Sequence, residues 1–290
     1  MIKKNEVWTV GSILKWTGQY FQEKGVESPR VDAEVLLSHV LGKERIYLYV
    51  HFDEPLQADE LKLYKEFIKR RVMHQPVAYI LGYKEFMGLR FKVSPAVLIP
   101  RPDTEILVEA VIERLKKYEN INFLDIGTGS GAIALAVLHN ILLAKAIAVD
   151  LSADALAVAK ENADSLQLTE RVTFCQGDLY EPISNQQFTA IISNPPYIPD
   201  SDIATLQAEV RQEPIGALAG GSDGLDFYRR LIKDGISLLK PGGFMAFEVG
   251  IYQADAVGQL CIDGGLTNLT ILNDYGSIER VVIAYKQELS

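Results

Sequence analysis

The sequence predicts an α/β protein: a doubly wound sheet that ends in an antiparallel hairpin and is preceded by a small helical domain. Three observations carry this reading. From residue 122 onward, short apolar strands alternate strictly with helical segments, the pattern of a parallel sheet covered on both faces. The last two apolar runs, Leu269–Leu272 and Arg280–Tyr285, are joined only by a short turn at Tyr275-Gly276-Ser277, so they pair antiparallel. Ahead of residue 83 the apolar spacing is helical.

Taken in order, a chain of 290 residues has room for one large domain or two. Ser28-Pro29 reads as an N-cap followed by proline at the first helical position, after which Val31, Val35, Leu36 and Val40 recur at helical spacing. Residues 59–73 form a second helix with Leu61, Tyr64, Phe67 and Ile68 on one face. Lys69, Arg70 and Arg71 near its end suit either the helix dipole or a partner. Residues 1–82 are therefore read as a helical domain, 83–98 as a hairpin linker around Gly88, and 99–290 as the catalytic domain. Within the last, Thr104 is expected to cap a helix reaching Tyr118. Strands are expected at 122–125, 145–150, 172–176, 188–193 and 243–249, with helices at 132–139, 153–166 and 225–239. A doubly wound sheet with a terminal hairpin resembles the seven-stranded, Rossmann-like methyltransferase fold more than a dinucleotide-binding one.

Composition narrows the function classes. Apolar residues make up 48% of the chain, enough to bury a core. Two cysteines, Cys175 and Cys261, outside any Cys/His cluster predict no disulfide framework and no metal site, and fit a reducing cytoplasm. His39, His51, His74 and His139 form no ligand spacing. The first residues lack the apolar stretch of a signal peptide, and no run is long enough to span a membrane, so a cytoplasmic protein is expected. The net charge of −9 is uneven: residues 1–82 balance at +1 and residues 83–290 at −10. Such an acidic catalytic half repels a phosphate backbone and argues against free nucleic acid as substrate.

Residues 123–132, Phe-Leu-Asp-Ile-Gly-Thr-Gly-Ser-Gly-Ala, run a strand into a glycine-rich turn that opens a helix. Gly127, Gly129 and Gly131 let the backbone approach a ligand, with Thr128 and Ser130 between them. The glycine spacing also satisfies the dinucleotide fingerprint and decides little by itself. Asp125 favours S-adenosylmethionine, because a carboxylate there can pair with the ammonium of a methionine moiety but would repel a pyrophosphate. Asp150, 19 residues after Gly131, can accept from both ribose hydroxyls. Asp178 is placed to accept from an adenine amino group, and Leu179 to flank the ring.

Ser193-Asn194-Pro195-Pro196-Tyr197 follows the fourth strand, at the sheet edge where such folds bind ligands. An amide NH₂ is a poor nucleophile because its lone pair is delocalised. Two acceptors that hold both N–H bonds favour a pyramidal nitrogen whose lone pair faces the methyl donor. The Asn194 side-chain oxygen and the Pro195 carbonyl can be those acceptors. Pro195 and Pro196 stiffen the backbone, and Tyr197 can stack on a flat substrate group.

Together these segments resemble the protein-(glutamine-N5) methyltransferases of the PrmC/HemK family, across essentially the whole chain. The resemblance also rests on residues 75–82 (Gln-Pro-Val-Ala-Tyr-Ile-Leu-Gly), 98–105 (Leu-Ile-Pro-Arg-Pro-Asp-Thr-Glu), Glu213-Pro214, Ala217-Leu218, Gly220-Gly221 and Asp223-Gly224-Leu225. Asn-Pro-Pro-Tyr is shared with DNA amino methyltransferases, whereas the Ile-Pro-Arg-Pro segment is far more specific. The resemblance implies transfer from S-adenosylmethionine, leaving S-adenosylhomocysteine, to the glutamine of the Gly-Gly-Gln motif of peptide chain release factors. It implies recognition of the release factor by the helical domain. It puts the cofactor at Gly127–Gly131, Asp150, Leu179 and Asn194, and the substrate glutamine at Asn194–Tyr197. Arg101 and Glu105 are read as lid or linker residues. The rivals are a DNA methyltransferase acting on adenine N6, which would want a basic target-recognition region, and a nicotinamide-dependent oxidoreductase, which would want a His/Lys or Tyr/Lys constellation.

Overall fold

The structure, a computed structural model, describes residues 7–184 and 186–288. These fall into two compact units, divided at Gly82, with Ala208–Gln212 belonging to the first. A contiguous division at residue 82 does not include that returning segment.

The first unit contains helices α1 (Val10–Glu23), α2 (Pro29–Leu41), α3 (Arg45–Val50), α4 (Ala58–Val72) and α5 (Val77–Leu81). Thr9 caps α1 in a reciprocal box with Ser12, which satisfies backbone donors at the first turn. Phe21, Leu36, Leu37, Tyr64 and Phe67 are buried in one cluster. Helix α2 begins with Ser28 as N-cap and Pro29 at N1, but the Ser28 side chain makes no capping bond. Its buried face is Ala33, Leu36 and Leu37, while Val31 is 46% exposed. The apolar spacing expected from Val31 is displaced because two carboxylates take up the inward positions. Buried Glu34 accepts from Arg45 at 2.6 Å, Tyr49 at 2.6 Å and Arg30 at 2.9 Å. Buried Asp32 accepts from Arg71 at 2.7 Å, and Arg71 also pairs with Glu209 at 3.0 Å. Arg70 donates to Gln75 at 2.8 Å and to the Tyr79 carbonyl at 2.9 Å. Two of the three basic residues ending α4 thus serve the unit's own interior, a use neither the dipole nor a partner explains.

The second unit opens with strands β1 (Tyr83–Phe86) and β2 (Leu89–Lys92), paired antiparallel across Met87-Gly88. Then come α6 (Pro102–Leu115), β3 (Asn122–Ile126), α7 (Ala132–Asn140), β4 (Lys145–Asp150), α8 (Ala153–Ser165), β5 (Val172–Gln176) and β6 (Phe188–Ser193). They are followed by α9 (Asp226–Gly235), β7 (Leu239–Glu248), α10 (Ala254–Asp263), β8 (Leu266–Asn273) and β9 (Glu279–Lys286). Helix α6 starts before Thr104: Arg101 is its N-cap and Pro102 sits at N1, where a missing N–H costs nothing. Thr104 is therefore a buried helical residue and not the cap. Helix α9 ends four residues short of the expected Leu239, and β7 starts there instead. Leu239 pairs with Phe188, and a bulge lies between Phe188 and Ala190.

Seven strands form one sheet in the order β5-β4-β3-β6-β7-β9-β8. All neighbours are parallel except β9, which runs antiparallel to both β7 and β8. Side chains alternate between two clusters along each central strand, the period-two consequence of a pleat buried on both faces. Phe123, Ala190, Ile192, Phe244 and Ala246 enter one cluster with α6 and α7. Leu124, Ile191, Met245 and Phe247 enter the other with α9 and α10. The strand order reverses between β3 and β6, so their carboxyl ends flank the crevice in which such sheets bind ligands.

Candidate active site

Register brings the two motif loops together. Ile126 lies beside Ser193, so the glycine loop after β3 and the Asn-Pro-Pro segment after β6 leave the sheet side by side. The Ser193 hydroxyl donates to the Ile126 carbonyl at 2.7 Å and fastens the two strand ends. A cavity opens there, lined by Gly127, Gly129, Asp150, Leu179, Asn194 and Pro195, among others. Val97 and Leu98 line it from the segment after β2, and Pro214, Gly216 and Ala217 from the segment before α9.

The loop is built from its own amides. Gly127 and Thr128 N–H donate to the Val149 carbonyl at 2.9 and 3.0 Å, and Gly131 N–H donates to Thr128. The Gly129 amide donates to Asp150 at 2.8 Å. Gly127 and Gly129 adopt φ of +72° and +54°, and a Cβ on either would point into open space. That open space is the cavity side, where a ligand can lie directly on the backbone.

Asp125 is not a cavity residue. It is fully buried beneath the loop, where it accepts from the Thr128 hydroxyl at 2.6 Å and the Ala134 amide at 3.2 Å. Its other oxygen has no partner, and burial pushes the carboxyl up to about 7. Direct pairing with a ligand ammonium therefore gives way to a role in holding the loop. Thr128 and Ser130 are likewise buried. Gly131 is the left-handed residue from which α7 starts.

Asp150 ends β4 and lines the cavity, each of its oxygens taking one backbone donor: Gly129 N–H at 2.8 Å and Ser152 N–H at 2.9 Å. Each oxygen keeps a lone pair for a hydroxyl group. Asp178 lines the cavity, but its carboxylate is held by Arg230 at 2.6 Å, so its amino-accepting capacity is shared. Leu179 lies beside it at φ +51°, a strained conformation for a bulky side chain, with its body against the core. Phe227 supplies a further ring to the lining, which sequence reasoning did not single out.

Asn194 has its NH₂ tied inward. It donates to the Thr104 hydroxyl at 3.3 Å. Glu248, at the end of β7, is buried and also receives the Thr104 hydroxyl. Burial pushes its carboxyl up to about 7, with Asp103 adding to the rise and Thr104, Arg280 and Asn194 opposing it. Pro195 and Pro196 line the cavity; Tyr197 does not, since its ring packs on the core and its hydroxyl lies 3.5 Å from Glu248. The stacking expected of Tyr197 is replaced by bracing of the loop. Gln253 adds to this by donating to the Tyr197 carbonyl at 3.0 Å. Gly220 and Gly224 pack so closely on residues 196–197 that a Cβ on either would meet backbone within 2.8 Å. Arg101 pairs with buried Glu213, which also accepts the Ile99 amide at 2.9 Å. Glu105 accepts the Met87 amide at 2.6 Å. Both therefore fasten segments within this unit. Glu248 and Gln253 carried no sequence signal and Thr104 only that of a helix cap and a family segment, because their contacts come from strands and helices distant in the chain.

The fold can be compared directly with a solved methyltransferase from Pyrococcus furiosus. It superposes with a TM-score of 0.52 over 76% of this chain and 97% of that one, at 19% identity. The methyltransferase small domain family matches residues 102–213, the stretch that contains the glycine loop and Asn194. Fold and site together define a methyltransferase. The PrmC N-terminal domain family matches residues 12–82. The release factor glutamine methyltransferase of Geobacter sulfurreducens is 45% identical over 283 residues, covering 97% of this chain and 98% of that protein. That of Moorella thermoacetica is 46% identical over 265 residues, covering 91% and 94%. The chain belongs to the release factor glutamine methyltransferase family.

Proposed function

We propose that the chain methylates the side-chain amide nitrogen of the glutamine in the Gly-Gly-Gln motif of peptide chain release factors, using S-adenosylmethionine. The observation that carries the chemistry is Asn194: its NH₂ is bound inward, so its oxygen is the atom presented on the cavity side. Membership of the family carries the choice of substrate. The site suits the cofactor. The bare faces of Gly127 and Gly129 accept its backbone-hugging part, Asp150 has lone pairs for a ribose, and Leu179 and Phe227 offer apolar surface to a purine. The cofactor, when bound, supplies an electrophilic methyl group on a cationic sulfonium.

What the chain's own residues contribute is orientation. The Asn194 oxygen and the Pro195 carbonyl take the two N–H bonds of the substrate amide and leave its lone pair free. The paired prolines hold both acceptors in place before substrate arrives, so little reorganisation is needed at the reaction step. No base is required before transfer, because the nitrogen becomes acidic only once it is alkylated. The helical unit recognises the release factor.

Mass spectrometry of a release factor incubated with this protein and labelled S-adenosylmethionine should show one methyl on the motif glutamine. Duplex DNA and ribosomal RNA should stay unlabelled, in keeping with the balance of −10 over residues 83–290. Labelling of adenine at a comparable rate, or an unmodified release factor, would overturn the reading.

A further inference from the structure

We propose that Thr104 and Glu248 are positioning residues that set which end of the Asn194 amide faces the substrate. This rests on the reading of Asn194 as an acceptor and adds what makes it one. The amide orientation follows from the polarity of a hydrogen-bond chain. Above the value of about 7 to which burial pushes it, Glu248 is an ionised carboxylate that can only accept, so the Thr104 hydroxyl must spend its single proton on Glu248. With its proton spent, that hydroxyl can only accept from Asn194, and only the NH₂ end of the amide has protons to give. That inward bond therefore selects one of two flips that are otherwise nearly equal in shape, and Oδ1 is turned outward.

The chain is protected where it sits. Thr104 is 4% exposed and Glu248 2%, so water does not compete for either group. The charged and titratable groups facing Glu248 are Asp103 from α6, Arg280 from β9 and the hydroxyl of Tyr197; the Tyr228 hydroxyl from α9 goes to its backbone carbonyl at 2.7 Å. The three members come from the ends of α6, β6 and β7. An exact amide orientation is thus built from three elements remote in sequence.

Single-turnover methyl transfer, with cofactor affinity measured alongside by calorimetry, tests this. Thr104→Val keeps the side-chain shape and removes the relay; it should slow the chemical step by about 10- to 100-fold. Cofactor affinity should stay within about threefold, and Thr104→Ser should restore most of the rate. Because Thr104 acts through Asn194, Thr104→Val combined with Asn194→Ala should be no slower than Asn194→Ala alone. A normal rate in Thr104→Val beside a slow Asn194→Ala would overturn the relay and leave the acceptor reading standing. Independent, multiplicative losses in the double variant would do the same. A normal rate in Asn194→Ala would remove the acceptor reading itself, and this inference with it. Should Thr104→Val fail to fold by circular dichroism, Glu248→Gln enters the same comparison, since its amide no longer forces the hydroxyl to donate one way.

Discussion

Asp150 shows how much one side chain is asked to do. It terminates β4, receives the Gly129 amide that shapes the glycine loop, and receives Ser152 N–H ahead of α8. Replacing it by alanine removes the expected hydroxyl acceptors and releases the loop amide together. We expect Asp150→Ala to weaken S-adenosylmethionine binding by about 2–4 kcal/mol, the loss of two hydrogen bonds to a charged group. Titration calorimetry measures this, and an affinity within twofold of the parent protein would mean that Asp150 serves the loop alone. Leu179 has a positive φ, strained for a bulky side chain, while its body packs against the core.

Among the elements, α4 depends most on a buried charge. Arg71 sits on its inner face between Asp32 of α2 and Glu209 of the returning segment, with its side chain only 3% exposed. Burial raises the Asp32 carboxyl even with the guanidinium at 2.7 Å, so the pair gives back much of what it gains from attraction. Removing one partner is a different matter, because it strands an unpaired carboxylate inside the helical unit. Arg71→Ala should destabilise that unit by about 3 kcal/mol, whereas Arg71→Met with Asp32→Leu should recover most of the loss. Denaturant unfolding followed by helix signal checks both. Equal losses in the two variants would show that the ion pair is needed for itself and not merely for neutralisation.

At the scale of the whole molecule, two carboxyls buried at the sheet's carboxyl edge couple stability to pH. Asp125 and Glu248 are both pushed up to about 7, chiefly by burial, from ordinary values near 4. Between those values the folded protein holds more protons than the unfolded chain. The contribution to stability is therefore full below about pH 4, falls as pH rises through 7, and levels off above it. Asp223, held down by Arg229, and Asp274, held down by backbone N–H groups, act with the opposite sign but only at more acidic pH. The cofactor-free protein should accordingly be more stable to denaturant at pH 5 than at pH 8. Asp125→Asn should flatten that slope. A parent protein whose stability rises from pH 5 to 8 would contradict the environment described for these two groups.

Among the described residues, no helix is long and apolar enough to cross a membrane. Periodicity alone was sufficient for the alternating strands and helices, because a strand buried on both faces or a helix with an apolar stripe writes its period into neighbouring residues. The glycine loop and Asn194-Pro195-Pro196-Tyr197 were legible for a similar reason: each is a contiguous run whose backbone demands fix its residue types. Helices α1 and α10 escaped, as did the early start of β7, since short amphipathic segments and bulges are settled by what they pack on. The functions of single polar groups were legible least. Asp125 faces the interior and Tyr197 braces a loop, although both lie within the motifs. Arg71 is buried between acids, and Thr104 is a link to Glu248 and not a helix cap. A hydrogen bond between residues 90 or 144 positions apart leaves no trace in local spacing. Residue types and their spacing dictate which segments meet at the strand ends; which atoms of those segments face the cavity is settled on folding, because burial and the direction of donated protons depend on neighbours distant in the chain.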